Sequence, residues 1–564
     1  MTIETWMREA FEKAFPGGDF SQVSVLPATD PRFGDFQCND ALKFAKALHM
    51  PPRKIAEAAL EAGGKPDFLE KAEIAGPGFI NLTVSSGFLA GELERLDQDP
   101  DLGIAQVGAG RTVVIDYSSP NAAKQMHIGH IRSTVIGNAI DRVYRSLGYR
   151  VIADNHLGDW GTQFGILIKG YRECLTDEER ANLSVPYLER AYVESSSRAK
   201  TDEEWKKACR EELVKLQRGD EEDMALWRRF IEISIEEFNR IYAELGVKFD
   251  TYRGESYYNG MMAPIVDELV EKGLAEPSEG ALIVRFEKEG LPIAIVRKSD
   301  GGFNYTTSDI ACVRSRIEDY SPDEIIYVTD DRQQLHFRQF FIICAKLGMD
   351  VKLTHVPFGL MSFAGKAIST REGNLIRLDE LLSEAKRRAL DIVMARKGGE
   401  EPQDEDRRLA SSIGIGAVKY ADLSHDPATP IDFDWDKALA LDGNSGPYLQ
   451  YAYARVCSLL DKAAEGGAAL DGSFAVWEPQ EKLLALALLQ FGQAVKRAAE
   501  CHKPSILADC LYQTSQLYSS FYQRSPVLRS AGDVRAARLR LCALFGKVLS
   551  KGLSLLGIDT PRRI

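Results

Sequence analysis

Residues 118–130 read Ser-Ser-Pro-Asn-Ala-Ala-Lys-Gln-Met-His-Ile-Gly-His, and this stretch decides the fold. The run before it, Arg111 to Tyr117, is apolar and β-rich. After it, Ile131, Val135, Ala139, Val143 and Leu147 recur at four-residue spacing, one face of a helix. Gly148 supplies a helix stop, and Val151-Ile152-Ala153 reads as a second strand. The motif therefore sits at a helix mouth inside a strand–loop–helix–strand unit. Unpaired N–H groups and the positive dipole end gather there, which suits a phosphate chain. His127 and His130 can donate hydrogen bonds to the same phosphates. Gly129 has no side chain, so a flat base can approach the backbone closely. Taken alone, a His-x-Gly-His string is also what two helix-start histidines beside a turn would give.

The chain has 564 residues, too many for one core, so two to four domains are expected. A hydrophobic content of 45% and a charged content of 27% describe an ordinary globular protein. No apolar run is long enough to span a bilayer. The start, Met1-Thr2-Ile3-Glu4-Thr5-Trp6-Met7-Arg8-Glu9, is polar and acidic, unlike a signal or transit peptide, so a cytoplasmic protein without membrane attachment is expected. The nine cysteines are scattered without a Cys-x-x-Cys pair, which argues against a disulfide scaffold and against a zinc site; no metal ligands are expected. The net charge of −13 argues against indiscriminate nucleic-acid binding but leaves room for a local RNA-binding face. From Arg524 to Ile564 nine Lys/Arg stand against Asp533 and Asp559 only. That tail is either a phosphate-facing surface or a solvated basic helix face.

Residues 1 to about 105 look like a small α+β domain. Its marks are Phe33-Gly34-Asp35-Phe36-Gln37-Cys38-Asn39 before a helix, Asp40 to His49, and a turn into a strand over Ala75 to Val84. Residues 111–165 form the first half of a nucleotide-binding sheet. Between Thr176 and Leu245 lies a helical insertion whose charge predicts a solvated surface helix pair rather than an active site. Strands are predicted at Ala281–Phe286 and Pro292–Lys298. A second βαβ unit follows: Glu324–Val328, a helix after Arg332, and Val351–Val356. Two such halves imply a doubly wound sheet with ligand at the strand carboxyl ends, where the strand order switches. From about Glu400 the chain is almost all helical. There Tyr448, Tyr451 and Tyr453 stand with Arg455, a set that can stack unpaired bases or pack a helix–helix core.

The form Ser118-Ser119-Pro120-Asn121, Lys124, His127-x-Gly129-His130-x-Arg132-Ser133-Thr134 resembles the HIGH signature of class I aminoacyl-tRNA synthetases, as the arginyl-tRNA synthetases carry it. Asn155-His156-Leu157-Gly158-Asp159-Trp160-Gly161-Thr162-Gln163-Phe164-Gly165 resembles the next block of that family, and the likeness continues to the C-terminus. The resemblance implies a multidomain α/β plus α fold. Residues 1–107 would be the N-terminal α+β additional domain that contacts the tRNA elbow, Asn39 included. Residues 108–399 would be a Rossmann-type doubly wound parallel sheet with a helical insertion, the class I catalytic domain. Residues 400–564 would be an α-helical anticodon-binding domain, with Tyr448, Tyr451 and Arg455 on tRNA.

After Phe358-Gly359-Leu360-Met361 comes Gly365-Lys366-Ala367-Ile368-Ser369-Thr370-Arg371-Glu372-Gly373-Asn374, placed like the KMSKS loop of class I synthetases. The pentad here reads Ala-Ile-Ser-Thr-Arg, so both signature lysines are missing. Attack on an α-phosphate needs cations where charge develops on the leaving pyrophosphate. The resemblance implies that Lys124 substitutes, with Arg371 and Lys366 as second candidates; a solvated loop lysine is the plainer reading. The ATP set implied is Lys124, His127, Gly129, His130, Met361, Ser369 and Arg371. Lys124, His127 and His130 would be catalytic.

A guanidinium is a planar fork of donors, best met by carboxylates plus amide and hydroxyl oxygens. The family pattern places such groups at Glu255, Tyr305, Asp309 and Gln333, with Ser119 and Asn121 beside the signature loop for the amino acid's own ammonium and carboxylate. Asp309 is the first choice for the bidentate contact; as a single residue it also reads as a helix N-cap. The resemblance thus implies arginine activation by ATP with Mg2+ as a substrate complex, then transfer to tRNA(Arg). No tightly bound cofactor is expected, and a monomer is expected. Two rival readings are another nucleotidylyl transferase with a His-x-Gly-His loop and a non-catalytic tRNA-binding relative.

Overall fold

The computed structural model describes residues 3–28, 30–363, 366–367, 376–395, 397, 400–468, 470, 472–475 and 478–564. The chain divides into two compact units. The larger comprises Ile104–Cys457, Gly492–Tyr512 and Leu549–Ile564; the smaller comprises Met1–Gly103, Ser458–Phe491 and Gln513–Val548.

The larger unit is built on strand β1 (Thr112–Asp116), helix α1 (Ile128–Ser146) and strand β2 (Arg150–Asp154). Gly148, with φ of 87°, takes the left-handed conformation that lets the chain leave α1 for β2. The insertion follows, including α2 (Val185–Arg198) and α3 (Glu221–Glu244). Then come α4 (Tyr305–Tyr320), β3 (Glu324–Asp330), α5 (Gln334–Lys346) and β4 (Lys352–Phe358). The four strands are parallel, in the order β4-β3-β1-β2. Val113, Val114 and Ile115 in β1, and Ile325, Ile326 and Val328 in β3, are all buried. Such unbroken apolar runs are what a parallel sheet covered on both faces demands. From β1 the chain moves by α1 to β2; from β3 it moves by α5 in the opposite direction, to β4. The order therefore switches between β1 and β3, and the loops after their carboxyl ends flank a crevice.

The segments predicted as strands at 281–286 and 292–298 are Ala281–Phe286 and Leu291–Arg297, antiparallel partners in a separate three-stranded sheet. The insertion differs from expectation. It holds four helices, Asp177–Ala181, α2, Glu203–Gln217 and α3; the last three pack with the helix Thr162–Cys174 around Phe164, Leu167, Leu188, Ala191, Leu216 and Phe230. A charge count averages over all faces of a helix and so misses a narrow buried stripe. After β4 come α6 (Leu378–Ala395), α7 (Asp404–Leu423) and α8 (Gly446–Glu465). One short strand, Ile431–Phe433, interrupts this helical part and pairs in parallel with Met361–Phe363.

The smaller unit carries an antiparallel sheet in the order Leu26–Pro27, Phe36–Cys38, Phe79–Val84, Leu69–Ala75. Helices Ile3–Ala14, Ala41–Leu48, Pro52–Gly63 and Ser86–Gln98 belong to it. Several cations of the basic tail are engaged inside this unit. Arg538 meets Glu481 at 2.6 Å, Arg540 meets Glu94 at 2.8 Å and Asp97 at 2.7 Å, and Lys547 meets Asp97 at 2.6 Å. No helix of the described residues is long and apolar enough to cross a membrane.

Candidate active site

The loop from β1 to α1 follows a strained path. Ser118, Ser119 and Ala123 have φ of 72°, 47° and 61°, a region that non-glycine residues seldom enter. Hydrogen bonds hold each one. The Ser118 N–H donates to Ser133 Oγ at 2.8 Å, and Ser118 Oγ lies 2.7 Å from the Tyr242 hydroxyl. The Ser119 N–H donates to Asn155 Oδ1 at 3.1 Å, and its hydroxyl donates to Asp116 Oδ1 at 2.9 Å. The Ala123 N–H donates to Ser234 Oγ at 2.8 Å. Asn121, exposed, bridges to Gly158 in the block after β2.

His127 caps α1. Its Nδ1 accepts from the Gly129 N–H, while His130 Nδ1 accepts from the His127 N–H, both at 3.0 Å. The rings lie 3.9 Å apart. A Cβ on residue 129 would fall 2.8 Å from the His127 ring, so glycine is what allows this cap. Burial, and then the Lys124 charge, lower the His127 pKa. Burial, and then the charges of His127 and Lys124, push His130 down to about 3. Both imidazoles are therefore neutral at pH 7. With each Nδ1 accepting, the proton sits on Nε2, which remains as a donor for an anion.

Lys124 is half-buried, with Nζ 5.0 Å from the centroid of the Tyr192 ring on α2. Among the described residues it has no carboxylate within 4.0 Å. Glu189, also on α2, feels the charges of both Arg377 and Lys124. Residues 376–378 dock beside the histidines: the Ile128 N–H donates to Ile376 O at 3.1 Å, and Leu378 N–H donates to Met126 O at 2.9 Å. Met361 is buried in strand Met361–Phe363. Ser369 and Arg371 lie outside the described residues; Lys366 and Ala367 form a short strand paired to Ser362 and Phe363.

The acceptors expected for a guanidinium partly converge. Asp309 is the fifth residue of α4, and the N-cap is Asn304, whose Oδ1 accepts from the Tyr305 N–H. The capping alternative for Asp309 thus falls away. Its Oδ2 lies 2.5 Å from His336 Nε2, and the Tyr305 ring packs edge-on to His336 at 4.6 Å. Burial pushes Glu255 up to about 7; the Asp159 and Asp309 charges add to this, and His156 opposes it. Glu255, Asp159 and Asp309 therefore share one electrostatic neighbourhood, in which His156 offsets part of the charge at Glu255 and Asp159 and His336 meets Asp309. Tyr305 and Gln333 are exposed, the latter in the turn just after β3.

Three profiles match this chain: "tRNA synthetases class I (R), catalytic domain" over residues 95–435, "DALR anticodon binding domain" over 449–564, and "Arginyl tRNA synthetase N terminal domain" over 1–84. A curated arginine–tRNA ligase of Fusobacterium nucleatum is 44% identical over 550 residues, 97% of this chain and 96% of that one. This chain belongs to the arginyl-tRNA synthetase family. A second arginine–tRNA ligase, of Chromobacterium violaceum, is 43% identical over 99% of both chains. The crystal structure of the Plasmodium falciparum arginyl-tRNA synthetase matches with a TM-score of 0.86 at 28% identity, over 100% of this chain and 98% of that one.

In this arginyl-tRNA synthetase scaffold, several residues that the sequence did not single out hold the crevice together. Arg132, 1% exposed, donates to Asp422 on α7 and to the carbonyls of Gly359 and Thr429. It ties the signature helix to the segment after β4. Arg316 on α4 meets Asp116 at the end of β1 and Asp154 at the end of β2, at 2.5 and 2.6 Å. Two aspartates closing apolar strands at a switch point were the available signal. Tyr242 of α3 also accepts from Asn155 Nδ2 at 3.0 Å, so the insertion supports the signature loop directly, contrary to expectation. In the helical part, Tyr448, Tyr451 and Arg455 share one half-buried stripe of α8, with Arg455 5.8 Å from the Tyr451 ring, while Leu449, Ala452 and Val456 are buried. Asn39 is exposed in the smaller unit.

Proposed function

We propose that this chain activates L-arginine with ATP, releasing pyrophosphate, and passes the arginyl group to tRNA(Arg), releasing AMP. The observation that carries this reading is the carboxylate neighbourhood of Glu255, Asp159 and Asp309, on the same larger unit as two imidazoles locked with Nε2 as donor. One end suits a guanidinium and the other suits phosphates. His127, Gly129, His130 and Lys124 take the ATP phosphates and base, with Met361, Ser369 and Arg371 completing the nucleotide site and Mg2+ arriving with ATP. Lys124 supplies the cation that the second signature lacks, because the leaving pyrophosphate gains charge in the transition state. Glu255, Tyr305, Asp309 and Gln333 read the guanidinium, and Ser119 and Asn121 hold the ammonium and carboxylate. Asp309 exchanges its His336 contact for the guanidinium when arginine enters.

Asn39, Tyr448, Tyr451 and Arg455 contact tRNA, within a three-part organisation of residues 1–107, 108–399 and 400–564. The protein works in the cytoplasm as a monomer, and adenylate formation awaits bound tRNA. The acidic acceptor set and the helical C-terminal part speak against a simpler nucleotidylyl transferase. The presence of Lys124, His127 and His130 speaks against a non-catalytic relative. Esterification of radiolabelled arginine to tRNA by the purified chain tests the proposal. Failure to charge any tRNA with arginine, by folded protein supplied with ATP and Mg2+, would refute it.

A further inference from the structure

Away from the crevice, the larger unit carries a cavity of about 570 Å3 that is partly open to solvent. One stripe of α7 lines it, with Arg408, Ser412, Ile415 and Lys419 recurring at helical spacing. Arg142, from α1, lines it too. Lys419 is 4% exposed and donates to the carbonyls of Leu245 and Gly557, both at 2.5 Å. Arg142 donates to Asn138 Oδ1, Gly246 O and Ser554 O. Lys419 thus uses two of its three donors and Arg142 three of its five. Among the described residues neither half-buried Arg142 nor buried Lys419 has a carboxylate within 4.0 Å, whereas a buried cation such as Lys419 ordinarily has a counter-charge.

The acids of the lining do not fill that role. Glu244 is engaged by Arg240 and Lys386. Asp559 is exposed, and its pull on Lys419 is weaker than the push from Arg142. Burial, and then the Arg142 charge, bring the Lys419 ammonium down to about 7. Ser412 Oγ is shielded from solvent and has no hydrogen-bond partner. Arg408 is exposed and, among the described residues, forms no ion pair.

We propose that this cavity binds an oxyanion of the phosphate class, held by Arg142, Lys419, Arg408 and the Ser412 hydroxyl. Such an anion offers only acceptors, which matches the unused donors, and it supplies the missing counter-charge. A tetrahedral phosphate presents acceptors in enough directions to meet three cations and a hydroxyl, which a planar carboxylate does not. The phosphate belongs either to a free small molecule or to the backbone of bound nucleic acid.

Equilibrium dialysis of radiolabelled orthophosphate against the full chain tests this, with the ATP site filled by a non-hydrolysable ATP analogue. The wild type should bind one phosphate. Arg408→Glu should bind it about tenfold more weakly or worse, with an unchanged melting temperature, since Arg408 is exposed. Ser412→Asp puts a carboxylate into the cavity and should likewise exclude phosphate. Absence of a bound phosphate in the wild type, or wild-type binding by both variants, would overturn the proposal. Addition of saturating tRNA separates the sources. Displacement of orthophosphate identifies a backbone phosphate, and retention identifies a small molecule. This readout does not depend on aminoacylation, so its failure is distinct from failure of the proposed reaction.

Discussion

Glu255 offers a quantitative test of arginine recognition. In the free protein, burial and then the neighbouring Asp159 and Asp309 charges, against the pull of His156, place its carboxyl at about 7. An arriving guanidinium favours the ionised form, so arginine binding lowers that pKa and expels a proton whenever Glu255 starts protonated. The sign follows. Affinity should rise with pH up to about 7 and level off above it, where Glu255 is already ionised. At pH 6 roughly one molecule in eleven carries the carboxylate, so arginine should bind about tenfold more weakly than at pH 8, about 1.4 kcal/mol. Calorimetric titration in buffers of different ionisation heat measures both the affinity and the proton count. Release should approach one proton at pH 6 and vanish by pH 8. Glu255→Gln preserves the shape and removes the titration. It should flatten the Glu255 component of the pH profile and weaken binding at pH 8 by the loss of one charge-assisted contact, about 1.5–3 kcal/mol. An unchanged slope in Glu255→Gln would refute the reasoning, as would binding without proton release at pH 6.

Three further outcomes follow from the same geometry. Lys124→Ala should lower the arginine-dependent exchange rate by about two orders of magnitude or more with tRNA affinity little changed, because its contact strengthens only as pyrophosphate leaves; a wild-type rate would move that role to another cation. Arg132→Leu should cost about 3–5 kcal/mol, read as a lower denaturation midpoint, because it strands Asp422 in the interior; an unchanged midpoint would show that the pair is not structural. Arg455→Glu should weaken tRNA binding and flatten its salt dependence, whereas Arg540→Glu should chiefly lower the melting temperature, since Arg540 is tied to Glu94 and Asp97; the reverse pattern would misplace the RNA-facing cations.

The strand–loop–helix–strand unit around residues 118–130 was legible because two independent periodicities bracket it. The four-residue spacing of Ile131, Val135, Ala139 and Val143 falls in α1 as read, but that helix is buried on nearly every side from Ile131 to Asp141 and not on one face; Gly148 takes the positive φ that a helix stop needs. The insertion was misread because its charge conceals a narrow apolar stripe, Leu188, Ala191, Leu216 and Phe230, that shows only once four helices meet. Contacts across long sequence separations were illegible for the same reason. Nothing near Arg132 announces Asp422, 290 residues away, and nothing near Asp309 announces that His336 already occupies its carboxylate. Local pattern supplied the residue types of the candidate site. It could not supply the partners that fix their charge states. The His127 and His130 tautomers depend on a reciprocal cap whose geometry exists only in the folded loop.

Selection of arginine is measured by ATP–pyrophosphate exchange in the presence of tRNA. Each assay would contain a single amino acid: arginine, lysine or citrulline. Lysine keeps the positive charge but lacks the planar fork, and citrulline keeps a planar shape but lacks the charge. A site built on satisfied polar acceptors should reject both. Exchange with arginine should run orders of magnitude faster than with either analogue. Exchange with lysine or citrulline at the arginine rate would contradict that selection.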